Sequence, residues 1–282
     1  MMFTMHRYKK FKMPLIYLVL TVGLFLSIFP YLWMVLSSFK VSSEIYTRFW
    51  PTKLTLSNYA FILKGGTGQE RNFVGSIFNS LIVSIIPTFS VVFFGMITAY
   101  ALRRIKIWGY QFYENIVIYQ MLFPQVLFLI PLFLMMRDWG QINNYSGMIL
   151  RYLIDPWAIF IYIQFFKTIP ESLLEAARID GASEFQIITR IMLPLSTTTT
   201  AIVVLFTFMA RWSEFLWPLI VNKDYDKMPL SVLLALFTKG EYQTYPGIQM
   251  AGATLLTLPI VLLFLAFKRY FEEGITFTGL KG

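Results

Sequence analysis

The sequence predicts an all-α integral membrane protein with six transmembrane helices. Apolar residues make up 57% of the chain against 14% charged, and the mean hydropathy is +0.61. Apolar stretches of roughly twenty residues, the length of helix that crosses a hydrocarbon core, recur from end to end. A soluble domain carries more charge than this.

The chain has no cysteine, which excludes a disulfide framework and thiolate metal sites, and His6 stands alone in the N-terminal tail. A net charge of +9 suits nucleic acid when it is gathered in one patch. Here the basic residues are scattered between apolar spans, as lysine and arginine are at the helix ends of membrane proteins. Membrane lipid is therefore the expected partner, and nucleic acid is not.

Read against their flanking charges, the apolar runs place spans near 14–37, 76–101, 111–136, 146–166, 197–221 and 249–270. The first follows Arg7, Lys9, Lys10 and Lys12, as the apolar core of a signal peptide would. No small-residue cleavage site follows Leu26-Ser27-Ile28-Phe29-Pro30, and the run continues through Trp33 to Phe39, so it reads as a retained span. Six crossings put both termini on one side. With Arg7 to Lys12 cytoplasmic, so are Arg103-Arg104-Ile105-Lys106, the segment 167–196 and Lys268-Arg269. Lys40, Arg48, Lys53, Lys64 and Arg71 fall in the first long external loop, where charge bears less on topology.

Tyr31, Trp33, Trp50, Trp108, Tyr110, Trp139 and Trp157 lie at or near span ends, where amphipathic rings prefer to sit. Pro30, Pro87, Pro124, Pro131, Pro156, Pro218 and Pro259 interrupt spans. Carbonyls freed by proline inside a membrane need protein or water partners, which favours one bundle around a cavity over simple kinking. No soluble domain intervenes, so 1–282 reads as a single transmembrane domain.

The most consistent local signals concentrate in 168–194. Thr168 is placed to cap a helix, Pro170 fits its first turn, and Glu171 completes a capping-box spacing. Leu173, Leu174, Ala177 and Ile179 supply an apolar side, and Gly181 a permissive stop. Ser183 and Gln186 form a second box-like start, Phe185, Ile188, Ile191 and Met192 an apolar stripe, and Pro194 an end. The expectation is helix, glycine turn, helix. Ala176, Ala177, Gly181 and Ala182 permit close approach of another surface, with Glu175 and Asp180 as polar handles. An amphipathic hairpin lying on the membrane satisfies the same pattern.

The run Glu175-Ala176-Ala177-Arg178-Ile179-Asp180-Gly181-Ala182-Ser183, followed by Ile191-Met192-Leu193-Pro194-Leu195, resembles the EAA loop of permease subunits in binding-protein-dependent ABC importers. Phe165 to Pro170, Trp212 to Leu219, Arg269-Tyr270-Phe271 and Leu280-Lys281-Gly282 are similar to the carbohydrate-uptake branch, in particular to the smaller permease of maltose-type transporters. Thr198 stands where that family often has proline, and Ser213 where it often has asparagine.

The resemblance implies that Glu175, Ala176, Ala177, Asp180, Gly181, Ala182, Leu193 and Pro194 belong to a cytoplasmic coupling helix that docks an ATPase. It implies a multi-pass protein of a prokaryotic inner membrane, forming half of a translocation pathway. The implied partners are a second homologous permease in a heterodimer, two ATP-binding subunits and an extracytoplasmic solute-binding protein delivering a sugar. Another solute, such as a polyamine or a sugar phosphate, is the runner-up, and a proton-coupled carrier a weaker one. The chain has no Gly-rich phosphate loop, so it is expected to be no enzyme and to bind no cofactor itself, with ATP and Mg on the partners.

Polar residues within spans are the candidates for the pathway. Arg211 and Glu214 stand three residues apart, on one face if the fifth span is continuous helix. An intramembrane charge is costly and should face the bundle interior. The pair fits either an internal salt bridge or contacts to sugar hydroxyls or an acidic group. Trp212 and Trp217 fit either packing or stacking on a sugar ring. Asn79, Gln120 and Gln125 fit either a polar pathway wall or hydrogen bonds between helices.

Overall fold

The computed structural model describes residues 2–64, 72–239 and 245–279, with side chains for 13–64, 72–237 and 245–270. Leu280, Lys281, Gly282 and Arg71 lie outside the described residues, as do the side chains of His6 and of the basic run Arg7 to Lys12. The helices are α1 (Met2–Ser38), α2 (Ser57–Leu63), α3 (Phe73–Tyr100), α4 (Tyr110–Leu122), α5 (Leu129–Asp138), α6 (Tyr145–Ile149) and α7 (Pro156–Phe166). They continue as α8 (Glu171–Ile179), α9 (Glu184–Ile187), α10 (Leu193–Leu195), α11 (Thr197–Trp212), α12 (Leu216–Val221), α13 (Leu230–Lys239) and α14 (Pro246–Gly279). No strand occurs among the described residues.

Four stretches are long and apolar enough to cross a membrane: Met13–Ser38, Phe73–Ile105, Tyr145–Phe166 and Pro246–Tyr270. Two bent pairs, Tyr110–Leu122 with Gln125–Asp138 and Glu184–Leu195 with Thr197–Trp212, raise the number to six when each counts as one span. The first, second and sixth expected spans fall within these helices.

The other three depart from continuous helix. The third span bends by 93° at Phe123 and Pro124. Proline disfavours helical geometry in the residue before it, and Phe123 is accordingly extended, with ψ 129°. The fourth span is interrupted ahead of α7, where Asp155 caps the new helix by accepting the Trp157 N–H at 2.9 Å, with Pro156 at the first position. The fifth span leaves the helix at Ser213 and restarts at Leu216. Arg211 thus sits in the last turn of α11 and Glu214 beyond its end, so the two do not share a helical face. The Glu214 carboxylate accepts the Trp217 N–H at 3.3 Å at the start of α12.

The chain divides into two units, 1–67 with 236–255, and 68–235 with 256–282. In the first, Asn58 is the organising residue. Its amide donates to the carbonyls of Ser38 and Lys40, both at 2.8 Å, fixing the end of α1 on α2. A methyl group at Gly247 would come within 2.8 Å of that amide, so only glycine fits there.

In the second unit α3 packs against α7 and α11, and α7 against α4. Tyr100, Tyr162, Phe166, Met192 and Val203 are buried in their shared core. A second cluster gathers Val83, Met136, Met148, Trp217 and Val221. Asn79 joins α3 to the chain ahead of α13, donating to the carbonyls of Asp226 at 2.8 Å and Met228 at 3.1 Å while accepting from the Tyr145 hydroxyl at 2.6 Å.

Asn79→Ala strands a buried carbonyl, a partly buried one and a hydroxyl. It should lower the stability of the solubilised protein by about 1–3 kcal/mol, read as a lowered thermal midpoint. Unchanged stability with lost transport would instead place Asn79 in the pathway.

Candidate functional site

Two features carry chemistry: the hairpin between the fourth and fifth spans, and a cavity beside the bend of the third.

The hairpin is built from local signals. α8 ends at Asp180, and Gly181 takes φ +83°, a conformation that costs little without a Cβ. The Ala182 N–H reaches the Ala177 carbonyl and the Gly181 N–H the Arg178 carbonyl, both at 3.0 Å, closing a Schellman turn. The Gln186 N–H then donates to the Ser183 hydroxyl at 3.3 Å and the Ser183 N–H to the Gln186 side chain at 2.8 Å, a complete capping box opening α9. The turn between the helices is therefore hydrogen-bonded on both sides.

The start of α8 differs from expectation. Thr168 does not cap it, because its hydroxyl donates back to the Phe165 carbonyl at 2.7 Å, and Pro170 occupies the cap position. Glu171 is engaged elsewhere: its carboxylate takes the Arg104 guanidinium at 2.7 Å.

Arg104 lies in a π-helical turn, Ala101–Ile105, that extends α3. Its side chain is 6% exposed and also donates to the carbonyls of Phe166 and, at 2.6 Å, of Ile169. One buried guanidinium thus satisfies the carbonyls at the end of α7 and holds the first residue of α8. One turn back, the Tyr100 hydroxyl donates to Glu184 at the start of α9, and Arg178 meets the same carboxylate at 2.9 Å. The Arg178 guanidinium, with Tyr100 behind it, holds the Glu184 carboxyl below the usual carboxylate range. The end of α3 grips both helices of the hairpin. Arg104 was read from sequence only as topological charge, and nothing in its local pattern distinguished it from Arg103.

The inner face of the hairpin buries Leu174, Ile187 and Met192 in the core, with Ala177, Ala182, Ile188 and Ile191 packed against it. The outer face carries Glu175, Ala176, Asp180 and Gly181, all exposed, as are Leu193 and Pro194 further along. Ile179, 85% exposed, and Phe185, 66% exposed, stand on this outer face rather than on the expected apolar sides. The second stripe runs through Ile187 instead of Phe185. Apolar side chains in open solvent beside small residues form the kind of surface another protein covers.

The cavity, about 440 Å³, is lined by Gln120, Gln125, Arg151, Tyr152, Asp155, Trp157 and Arg211, with Phe123 and Phe128 from the bend. Three residues anticipated for the pathway, Gln120, Gln125 and Arg211, thus come together. The others do not line it. Trp212 and Trp217 are buried, their indole N–H groups donating to the carbonyls of Leu256 at 2.7 Å and Gly147 at 3.0 Å. Asn79 is spent on the clamp described above, and Glu214 accepts the Trp217 N–H and interacts with Tyr152 from outside the lining. No ion pair joins Arg211 to Glu214 among the described residues. Arg211 stacks instead on Tyr152, at 3.8 Å from the ring centroid, and Arg151 lies 4.7 Å from both Tyr152 and Trp217. Arg151 and Tyr152 escaped the sequence reading because they sit at a helix interruption that hydropathy does not resolve.

Arg104→Met should loosen the hairpin without unfolding the bundle. The expected cost is about 1–3 kcal/mol, because Glu171 is 41% exposed and solvent screens its share of the ion pair. It is measured as faster amide exchange over 171–187. Glu184 contributes in the other direction of pH. Its folded pKa is depressed, so its stabilisation is full at neutrality and fades as pH falls through the lowered value. Corrected for the intrinsic pH dependence of amide exchange, the hairpin's opening equilibrium should therefore be flat down to about pH 5 and shift toward the open form in acid, and Glu184→Gln should reduce that shift.

Residues 91–277 match the family described as binding-protein-dependent transport system inner membrane component. The chain is 33% identical over 278 residues to an arabinooligosaccharides transport system permease protein of Halalkalibacterium halodurans, covering 95% of this chain and 98% of that one. It is 31% identical over 259 residues to the trehalose/maltose transport system permease protein of Thermococcus litoralis, covering 90% and 92%. A bacterial ABC transporter involved in the import of the acidic polysaccharide alginate has a chain of the same fold, with a TM-score of 0.77 at 22% identity over 90% of this chain and 94% of that one. With its helical spans, its latched hairpin and these similarities over nearly its whole length, the chain belongs to the inner membrane components of binding-protein-dependent transport systems.

Proposed function

We propose that this chain is a permease subunit of an ABC importer and forms half of the pathway for a sugar or oligosaccharide delivered by an extracytoplasmic binding protein. The observation that carries the reading is the hairpin: a capped, hydrogen-bonded turn with an exposed outer face, tied to α3 through Arg104 and Tyr100. Such a knob transmits force as a rigid body, because its turn cannot flex without losing the Schellman bonds or the capping box.

In this reading the hairpin and both termini are cytoplasmic, and the hairpin sits in a groove of an ATP-binding subunit. Glu175, Ala176, Asp180 and Gly181 make the contact, with Ile179 and Phe185 as its apolar anchors. ATP and Mg are held by two such subunits, and a second, related permease completes the pathway as a heterodimer. Closure of the ATP-binding pair displaces the hairpin, and the helices joined to it change the side to which the pathway opens. The sugar assignment is supported by what the similar permeases are named for, arabinooligosaccharides and trehalose or maltose.

Gly181→Val tests the coupling role. The valine side chain meets open space, so the penalty is confined to the left-handed backbone, about 1–2 kcal/mol, and the distortion to the tip. The bundle should assemble, while substrate-stimulated ATP hydrolysis and uptake fall together or the ATP-binding subunits no longer co-purify. Gly181→Asn, which tolerates that conformation, should restore most of the activity. Normal uptake by Gly181→Val would remove the hairpin from the coupling path.

A further inference from the structure

We propose that the cavity beside the bend of the third span binds an acidic saccharide, with Arg151 and Arg211 receiving a sugar carboxylate; this deepens the sugar-import reading and rests on it. Both arginines line the cavity, and neither enters an ion pair among the described residues. The Arg211 Nη1 group is buried and has no hydrogen-bond partner. A buried donor without a partner calls for an explanation, and a bound acceptor that draws the guanidinium toward the cavity supplies one.

The aromatic faces explain how two guanidiniums are held without carboxylates. Arg211 lies over Tyr152 at 3.8 Å, and Arg151 lies 4.7 Å from Tyr152 and Trp217. A guanidinium stacked on a ring keeps its in-plane N–H groups directed sideways, in the fork that matches a carboxylate. The nearby acids do not consume that capacity. Asp155 lines the cavity but accepts the Trp157 N–H, and Glu214 lies outside the lining, accepts the Trp217 N–H and also interacts with Tyr152. With Asp155 counted, the lining itself keeps a single net positive charge, and the Glu214 carboxylate beside Tyr152 weakens it further. That balance suits a monoanionic carboxylate better than a doubly charged phosphate. Gln120 and Gln125 add hydroxyl partners, and Trp157 and Tyr152 add aromatic surface for the C–H face of a sugar ring. A neutral sugar would leave the second guanidinium without a use.

The test measures binding to the assembled importer in lipid nanodiscs, without its binding protein, so that delivery does not impose its own selectivity. The probes are trimers of galacturonate and of glucuronate, their methyl esters, neutral trimers of arabinose and glucose, and glucose 6-phosphate. The acids should bind at least about tenfold more tightly than their esters, the margin of one charge-assisted contact, with the difference shrinking at high salt. Arg151→Gln and Arg211→Gln should each remove that preference, and Arg211→Lys should recover part of it.

Equal binding of acids and esters, or tighter binding of the neutral trimers, overturns the acidic-sugar assignment and leaves sugar import standing. Tighter binding of the phosphate overturns the carboxylate. Failure of every saccharide to bind to the intact assembly overturns the sugar reading as well. The comparison of acid with ester uses the unaltered protein, so it decides even where an arginine variant fails to fold.

Discussion

A broken helix inside hydrocarbon has to satisfy its freed backbone groups from within the protein, and that constraint organises this molecule. The apolar spans are interrupted near Phe123, near Asp155 and near Ser213. At the second and third of these a carboxylate stands in for the missing turn, Asp155 for the Trp157 N–H and Glu214 for the Trp217 N–H. Freed carbonyls are met in the same way. Ser90 donates to Leu153, Trp217 to Gly147, Ser231 to Glu214 and Asn79 to Asp226 and Met228. Most polar side chains within the spans are therefore backbone partners. The arginines of the cavity are among the groups left over once those demands are met.

The same constraint shapes the hairpin. At the end of α7 the carbonyls of Phe166 and Ile169 have lost their helical partners, and Arg104 supplies them from α3. Because that guanidinium also holds Glu171, satisfying the backbone and anchoring the hairpin are one event. A lysine could not do both, since a single ammonium lacks the planar fork that spans a carboxylate and two carbonyls. The π-helical turn at Ala101–Ile105 places Arg104 for this, and it ends where Lys106 enters the left-handed region with φ 55°.

The division between what could be read from sequence and what could not follows from range. Helix type, span positions and the hairpin's glycine turn depend on neighbours within a few residues, and hydropathy, Ser183-x-x-Gln186 and Gly181 declared them. Thr168 shows the limit of local reading: its spacing to Glu171 fits a capping box, yet Arg104, 67 positions away, claims the carboxylate. Ile179 and Phe185 show the other limit. Local pattern places apolar residues inward because burial is their common fate, while an exposed face of the kind another protein covers inverts that rule. For Trp212, Trp217 and Asn79 the sequence admits both packing and ligand contact, with packing the commoner role. Only the identities of the partner carbonyls, Leu256, Gly147, Asp226 and Met228, separate the two.

Hairpin and cavity are joined by the two helices that flank the hairpin in sequence. α7 carries Asp155 and Trp157 at its N-terminal end and runs into the hairpin at Phe166; α11 leaves the hairpin at Thr197 and carries Arg211 in its last turn. Their 11 and 16 residues make rods of about 16 and 24 Å, stiff because each is a continuous hydrogen-bonded helix. Pushing the hairpin moves both rods at the near end, and each delivers a cavity residue at the far end. α3 lies against both and is tied to the hairpin by Arg104 and Tyr100, so it moves with them or resists them as a unit. A shift of the two rods relative to one another changes the spacing between Arg211 on α11 and Arg151 just ahead of α7. A site that grips a carboxylate between two guanidiniums is sensitive to that spacing, because a bidentate fork tolerates little misplacement. In the proposed importer, movement at the hairpin would thereby become a change of affinity at the cavity, which is the requirement for releasing a ligand on the side opposite to the one where it was bound.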